Sequence, residues 1–324
     1  MSAGEAAGSV PTRMVVHALV REDGTVEGGE LYRVAGLLGM TDQQVRLCVK
    51  RLVAEGQFTV EGRGRRAVLR LAAAAGAGPA HVPEVEFVRH AYRQDAGLEP
   101  WDGTWHAFAF AVPESARAAR DALRDALTGL GAAPVQGGLY VTPNAIGPYV
   151  RARAAELGVP EALTCLTTRD LEVGGAVDPA AVAARLWPLP AIAARYEALH
   201  TLAAADAPRA AGDTRGTGAA GAGTGAREAG TGLAGAGGAG GGDRDGAVAL
   251  ARAVGLAAAF STAMLPDPLL PPELLPQPWP GTAGRAAAAA AWERLCEAAP
   301  AGGPRLFRLY AEASGRPGAA TDEE

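Results

Sequence analysis

The chain has little of what catalytic and metal sites are made from. Its three cysteines, Cys48, Cys165 and Cys296, lie far apart and show neither a CxxC pair nor a Cys/His ligand spacing. A disulfide framework and a zinc site are therefore excluded as organising features. Five histidines, His17, His81, His90, His106 and His200, are scattered with no acid or nucleophile at motif spacing, and general acid–base chemistry needs such a partner within reach. The reading is of a non-enzyme, with no catalytic residue, no metal and no cofactor. Aromatic residues make up only 5% of the chain, and much of its 48% hydrophobic content is alanine, which buries little area per side chain. Alanine-rich helices with sparse Leu, Val and Trp anchors are expected. No run of about 18 strongly apolar residues occurs, and the start, MSAGEAAGSVPTR, has no charged stretch leading into an apolar one. This points to a soluble cytoplasmic chain without a membrane partner. Overall basicity is missing too: a formal net charge of −5 does not suit a protein that coats nucleic acid with its whole surface.

Positive charge is nevertheless concentrated in one place. From Thr41 to Leu71 there are seven cations (Arg46, Lys50, Arg51, Arg63, Arg65, Arg66, Arg70) against three acids (Asp42, Glu55, Glu61), the local footprint that phosphate contacts need. Stepping about 100° per residue from Asp42 to Glu55 puts Val45, Cys48, Val49, Leu52 and Val53 on one stripe, with Gln43, Arg46, Leu47, Lys50 and Arg51 opposite. Thr41 or Asp42 supplies an N-cap and Gly56 a stop. The outward residues suit the major groove: Arg and Lys pair with guanine O6 and N7, Gln pairs with adenine, and Leu47 matches a thymine methyl.

After Gly56 the stretch from Gln57 to Leu71 alternates about Glu61-Gly62-Arg63-Gly64. The glycines permit positive φ, and the segment reads as a β-hairpin tipped by Arg63, Arg65 and Arg66. Two helical segments precede it, Thr12 to Arg21 and Gly29 to Leu38, with Gly39 making the turn. Residues 12–75 thus have the layout of a winged helix-turn-helix unit, after 11 disordered residues. Its DNA-contacting set is Gln43, Gln44, Arg46, Leu47, Lys50, Arg51, Arg63, Arg65 and Arg66, and its partner is double-stranded DNA. A protein-interaction module on the same layout would present an apolar hairpin tip; this one presents three arginines.

Beyond it, residues 76–100 read as a linker containing a short connecting helix, Glu84 to Arg93. From Trp105 to Val112, His106, Phe108 and Phe110 alternate with alanines as in a strand, and a helix follows from Glu114 to Leu130 with Leu123 and Leu127 inward. A strand at Gly138 to Thr142, a helix at Ala145 to Leu157 and a strand at Ala162 to Thr168 complete a small α/β sandwich of ferredoxin type over 101–176. Pro179 to Leu202 reads as one helix. Residues 203–246 are almost only Ala, Gly and Thr with scattered charges, too little apolar area to offset ordering entropy. This segment is expected to be a disordered linker inside a helical domain made of 177–202 and 247–314. A helix at Ala247 to Met264, a proline-rich corner at Leu265 to Gly281 and a helix at Thr282 to Ala299 are expected, then a disordered tail over 315–324.

An ordered set of residues carries a resemblance: Val45-Arg46 and Arg51-Leu52 in the helix, Gly64-Arg65-Arg66 in the hairpin, Trp101-Asp102-Gly103 with Trp105, Val112-Pro113-Glu114, Gly138 to Pro143, and Leu270 to Pro276 with Trp279-Pro280-Gly281. Together they resemble the PaaX family of transcriptional regulators. The resemblance implies an α+β multidomain chain: a winged helix, a middle domain related to Cas2, and a helical C-terminal domain. It further implies a homodimeric repressor of aromatic-acid catabolism, typically of phenylacetate, released from its operator by an aryl-acyl-CoA effector. Arg185, Arg195, Tyr196 and Trp187 are the candidate effector contacts, offering guanidinium groups for phosphate and aromatic surface for the acyl group. A Cas2-like nuclease would need a metal-holding acid at the end of the first strand of that domain. Here the strand ends in Val112-Pro113, and Glu114 opens the next helix.

Overall fold

A computed structural model describes residues 10–72, 85–205, 239–299 and 302–313. In the first unit, α1 (Thr12–Ala18) buries Met14, Val15, Val16 and Ala18. It ends earlier than its composition implies, because Leu19 and Val20 leave the helix while staying in the core and Asp23-Gly24 forms a turn. The Asp23 carboxylate accepts from the Thr25 amide at 2.9 Å and launches β1 (Thr25–Glu27), a strand of three residues that no alternation announces. Next come α2 (Gly28–Leu37), with Leu31, Val34 and Ala35 buried, and α3 (Asp42–Ala54), with Val45 and Leu52 buried. The chain then enters β2 (Phe58–Glu61) and β3 (Val68–Leu71). The three strands form an antiparallel sheet in the order β1-β3-β2.

The helix α4 (Val85–Asp95) is followed by β4 (Trp105–Phe110), α5 (Arg117–Gly129), β5 (Ala133–Gln136), β6 (Leu139–Thr142), α6 (Gly147–Glu156) and β7 (Leu163–Thr168). The last six make a βαββαβ unit with an antiparallel sheet ordered β5-β6-β4-β7, as the ferredoxin-type expectation requires. One strand, β5, was missing from that expectation. It carries Pro134 and pairs with β6 through an irregular register, and proline is tolerated there because β5 is an edge strand. Phe108, Tyr140, Leu123, Leu127 and Val150 form the core beneath α5 and α6.

Two expectations about the remaining helices are corrected. Residues 179–202 are not one helix: α7 (Pro179–Leu186) stops at Trp187, and α8 (Leu189–Ala205) starts after Pro188, whose ring cannot continue the ladder. The expectation of a structureless segment over 203–246 fails at both its ends, where α8 runs to Ala205 and α9 (Ala239–Met264) begins at Ala239; residues 206–238 lie outside the described residues, as do 1–9, 73–84, 300–301 and 314–324. The helices α10 (Pro280–Glu297) and α11 (Leu306–Ala313) follow. The stretch Asp245–Met264 of α9 is long and apolar enough to cross a membrane, but 67% of it is buried inside the fold, as in a core helix.

The connecting helix α4 is more than a spacer. Its Val88 and Ala91 are buried, the Tyr92 hydroxyl donates to the Arg285 carbonyl at 3.2 Å, and the Gln94 amide donates to the Leu269 carbonyl at 3.1 Å. Leu269 has φ of 49°, and its carbonyl also accepts from Asn144, after β6, at 3.1 Å. This one corner therefore joins α4, the βαββαβ unit and the helices that follow. The first unit is tied to the same helices: α2 packs on α9, and Arg308 of α11 pairs with Glu22 at 3.0 Å.

Burial pushes the phenols of Tyr92 and Tyr310 up to about 12 and raises that of Tyr196 well above the ordinary tyrosine range. A phenol whose folded value exceeds its unfolded one contributes stability that is complete below about pH 10 and is lost as the pH rises through the folded value. In an alkaline titration followed by tyrosinate absorbance, three of the six tyrosines should ionise late and together with loss of helical circular dichroism. Smooth ionisation of all six near pH 10 would contradict the packing.

Candidate nucleic-acid interface

The cationic helix is fixed by a complete capping box. The Thr41 hydroxyl accepts from the Gln44 amide at 3.3 Å, and the Gln44 side-chain carbonyl accepts from the Thr41 amide at 2.8 Å. Two otherwise orphaned N–H groups are thereby satisfied at the helix start. The inner stripe follows the sequence reading except at Val53, which stays 39% exposed. Cys48 and Val49 are half-buried, and burial pushes the Cys48 thiol up, in keeping with a packing role. Arg13 of α1 braces the far end through Glu55 at 2.7 Å.

Every side chain expected to touch DNA is exposed: Gln43, Gln44, Arg46, Leu47, Lys50 and Arg51 on α3, and Arg63, Arg65 and Arg66 on the hairpin. Leu47 is 50% exposed, an apolar group in solvent at the centre of a polar face. Among the described residues, Arg46, Lys50, Arg51, Arg63 and Arg66 carry no ion pair. Arg65 differs: it turns back toward Asp42 at 3.6 Å and lies 5.9 Å from the centre of the Tyr32 ring. Gln44 differs as well, because the cap occupies its carbonyl, leaving Gln43 as the amide with no such commitment.

The hairpin tip is not a bare turn. Gly64–Arg66 forms a short 3-10 turn, entered through Gly62 at φ of 82°. The amide of Gly28, which opens α2, donates to the Ala67 carbonyl at 2.8 Å. A Cβ at Gly28 would come within 2.8 Å of the carbonyl oxygens of both Ala67 and Gly64, so glycine is required for this close approach. The tip is thus held against α2 rather than projecting freely. Between α3 and the hairpin lies a groove of about 310 Å³ whose lining includes Val49, Val53, Val60 and Leu69 together with Arg46, Lys50 and Arg63. Both elements therefore direct positive charge at one space.

The four residues singled out for an effector do not face a common cleft. Tyr196 is wholly buried, donating to Asp267 at 2.5 Å and accepting from Arg285 at 2.9 Å. Trp187 is buried too; its indole N–H donates to the Gly131 carbonyl at 3.0 Å and its ring stacks near Trp105. Arg185 and Arg195 are exposed, the former lying over Gly174. Glu114 forms an ion pair with Arg120 at 2.9 Å on the surface of the βαββαβ unit. Among the described residues no group of three or more His, Cys, Asp or Glu side chains gathers as a metal site would require.

Three family descriptions match this chain: "PaaX-like protein" over residues 6–75, "PaaX protein central Cas2-like domain" over 98–182 and "PaaX-like protein C-terminal domain" over 242–301. No curated protein matches. Among solved structures, the uncharacterized protein Rv0674 from Mycobacterium tuberculosis is 21% identical, with a TM-score of 0.43 over 89% of this chain and 97% of its own. The three matched segments follow one another in the order of the units described above, and the chain belongs to the PaaX family.

Proposed function

We propose that this protein is a sequence-specific DNA-binding transcriptional regulator whose first unit is a winged helix-turn-helix. The observation that carries the reading is the set of exposed cations without ion pairs on α3 and the hairpin, in a chain whose net charge is −5. Solvated charge that no internal acid neutralises is what counterion release from DNA uses. In this reading α3 enters the major groove, with Arg46, Lys50 and Gln43 at base edges and Leu47 against a thymine methyl. Arg63 and Arg66 hold phosphate. Two subunits place their helices in successive major grooves, with half-sites about one turn, or a multiple of it, apart.

Family membership supports the further reading of a repressor of aromatic-acid catabolic genes, of the phenylacetate type, working in the cytoplasm and released by an aryl-acyl-CoA. The docking of α2 on α9 supplies a mechanical route, since a ligand that prefers one arrangement of the C-terminal helices would bias the spacing of the two α3 helices. Selection from randomised duplexes should enrich a two-fold symmetric site whose affinity falls steeply with salt. In Arg66→Ala the salt slope should drop by about one unit with little change in sequence preference, and an aryl-acyl-CoA should release the enriched fragment. Failure to enrich any duplex would overturn the proposal.

A further inference from the structure

The cleft that Arg185, Trp187, Arg195 and Tyr196 do not form exists elsewhere among the C-terminal helices. Between α9 and α10 lies a groove of about 410 Å³, within the roughly 300–1,000 Å³ of small-molecule sites. On α9 its lining includes Asp245, Val248 and Arg252, spaced so as to share one face of the helix, and on α10 it includes Ala291, Arg294 and Leu295, spaced in the same way. Each helix therefore brings a guanidinium and a branched apolar side chain to one space. Arg294 is half-buried, and its Nε is shielded from water with no hydrogen-bond partner among the described residues. A buried donor left unsatisfied by the fold is one that a bound acceptor can satisfy. Two other cavities lack this combination. The groove of about 270 Å³ in the βαββαβ unit has Arg120 and Arg124 in its lining, but Glu114 and Asp121 already pair with them. The apolar cavity beside Tyr92, Trp292 and Tyr310 measures about 20 Å³, room for one water and not for a ring.

We infer that the groove between α9 and α10 binds an organic anion with an apolar arm, its anionic oxygens on Arg252 and Arg294 and its arm along Val248, Ala291 and Leu295. A guanidinium fork matches phosphate or carboxylate oxygens two at a time, and a pair of forks on two helices suits a diphosphate better than a single carboxylate. Asp245 begins the α9 face and is exposed, so solvent and salt screen its charge from the ligand. This assignment rests on the reading of an aryl-acyl-CoA as effector and gives that effector its site: the diphosphate is the anionic part and the acyl group the apolar arm. A ligand touching both helices fixes how far apart they stand. Because α2 packs on α9, the first unit moves with that spacing, and α3 moves with it.

Calorimetry on the full-length protein without DNA tests the site, with phenylacetyl-CoA, CoA and phenylacetate as titrants. Phenylacetyl-CoA carries both parts and should bind at least about tenfold more tightly than either fragment, since linked parts bind as one. Arg252→Gln/Arg294→Gln should weaken it by about tenfold or more, the loss expected when charge-assisted hydrogen bonds to phosphate are removed, and should flatten its dependence on salt, with an unchanged circular dichroism spectrum. Arg252→Gln alone, at an exposed position, should produce part of that loss even if the double variant folds poorly. Arg195→Gln should bind as the wild type does. Affinity for phenylacetyl-CoA that both groove variants leave unchanged would overturn the site while sparing the effector reading. No binding of phenylacetyl-CoA to the wild type, by heat or by equilibrium dialysis, would overturn both. Equal affinity for phenylacetyl-CoA and CoA would leave the apolar residues without a role and overturn the assignment as well.

Discussion

Replacing Arg285 by methionine should cost about 3–5 kcal/mol of stability, the range for breaking a buried ion pair from one side. Arg285 is 4% exposed overall and makes a two-pronged contact with Asp95, Nε at 2.6 Å and a terminal nitrogen at 2.7 Å. Its other terminal nitrogen donates to the Tyr196 hydroxyl at 2.9 Å and lies 3.4 Å from Asp267. Methionine fills much of the volume but leaves the buried Asp267 carboxyl and the half-buried Asp95 carboxylate without their shared cation. That loss is a large part of the roughly 5–15 kcal/mol available to a folded chain. Asp267→Asn is the informative contrast. Burial already pushes the Asp267 carboxyl up, against the hydrogen bond from Tyr196 and the charge of Arg285; an amide is neutral, as burial favours, but keeps only one of the two acceptor oxygens that serve Tyr196 and the Leu269 amide separately, so its cost should be that of one hydrogen bond, about 1–3 kcal/mol, and smaller than that of Arg285→Met. Urea unfolding followed by circular dichroism and tryptophan fluorescence measures both. Equal midpoints for Arg285→Met and wild type would show that the cluster does not hold α4 in place.

This cluster also marks where sequence reasoning stops. The amphipathic helix over Asp42–Ala54 was legible because its whole signal is local: an inward stripe, a Thr cap with Gln three residues on, and a glycine just past its end. The ferredoxin-type unit was legible for the same reason at β4, α5, α6 and β7. Two strands were missed because three or four residues such as Thr25–Glu27 or Ala133–Gln136 hold too little alternation to be seen. In sequence Tyr196 reads as a ligand contact, since an aromatic beside an arginine looks alike whether it faces solvent or an Arg285 that is 89 residues away. The helix α4 passed for a connector because the partners that fix it, Leu269 and Arg285, lie 175 and 190 residues along the chain. No window of local sequence contains them. At the candidate interface, exposure follows from the helical period, but the commitment of the Gln44 carbonyl to the cap and the return of Arg65 toward Asp42 needed coordinates.

The variant Arg46→Ala/Lys50→Ala should leave folding intact and cost most of the specific DNA binding. Both side chains are exposed and neither pairs with an acid among the described residues, so their removal should change stability by no more than about 0.5 kcal/mol, as for surface sites away from packing or caps. If each reads a base edge, each carries about 1–3 kcal/mol of discrimination, and a two-fold complex counts every loss twice. Affinity for an enriched site should then fall by at least two orders of magnitude. Affinity for unrelated duplex should fall only through the lost charge, so the two affinities converge. Arg65→Ala separates the two kinds of contact. Its guanidinium is partly occupied by Asp42 and Tyr32, so its loss should weaken binding less than the loss of Arg66. Titrations of fluorescent duplex at two salt concentrations, beside melting curves, distinguish these outcomes. Unchanged affinity in the double variant would remove α3 from the interface, whatever the charge of the hairpin.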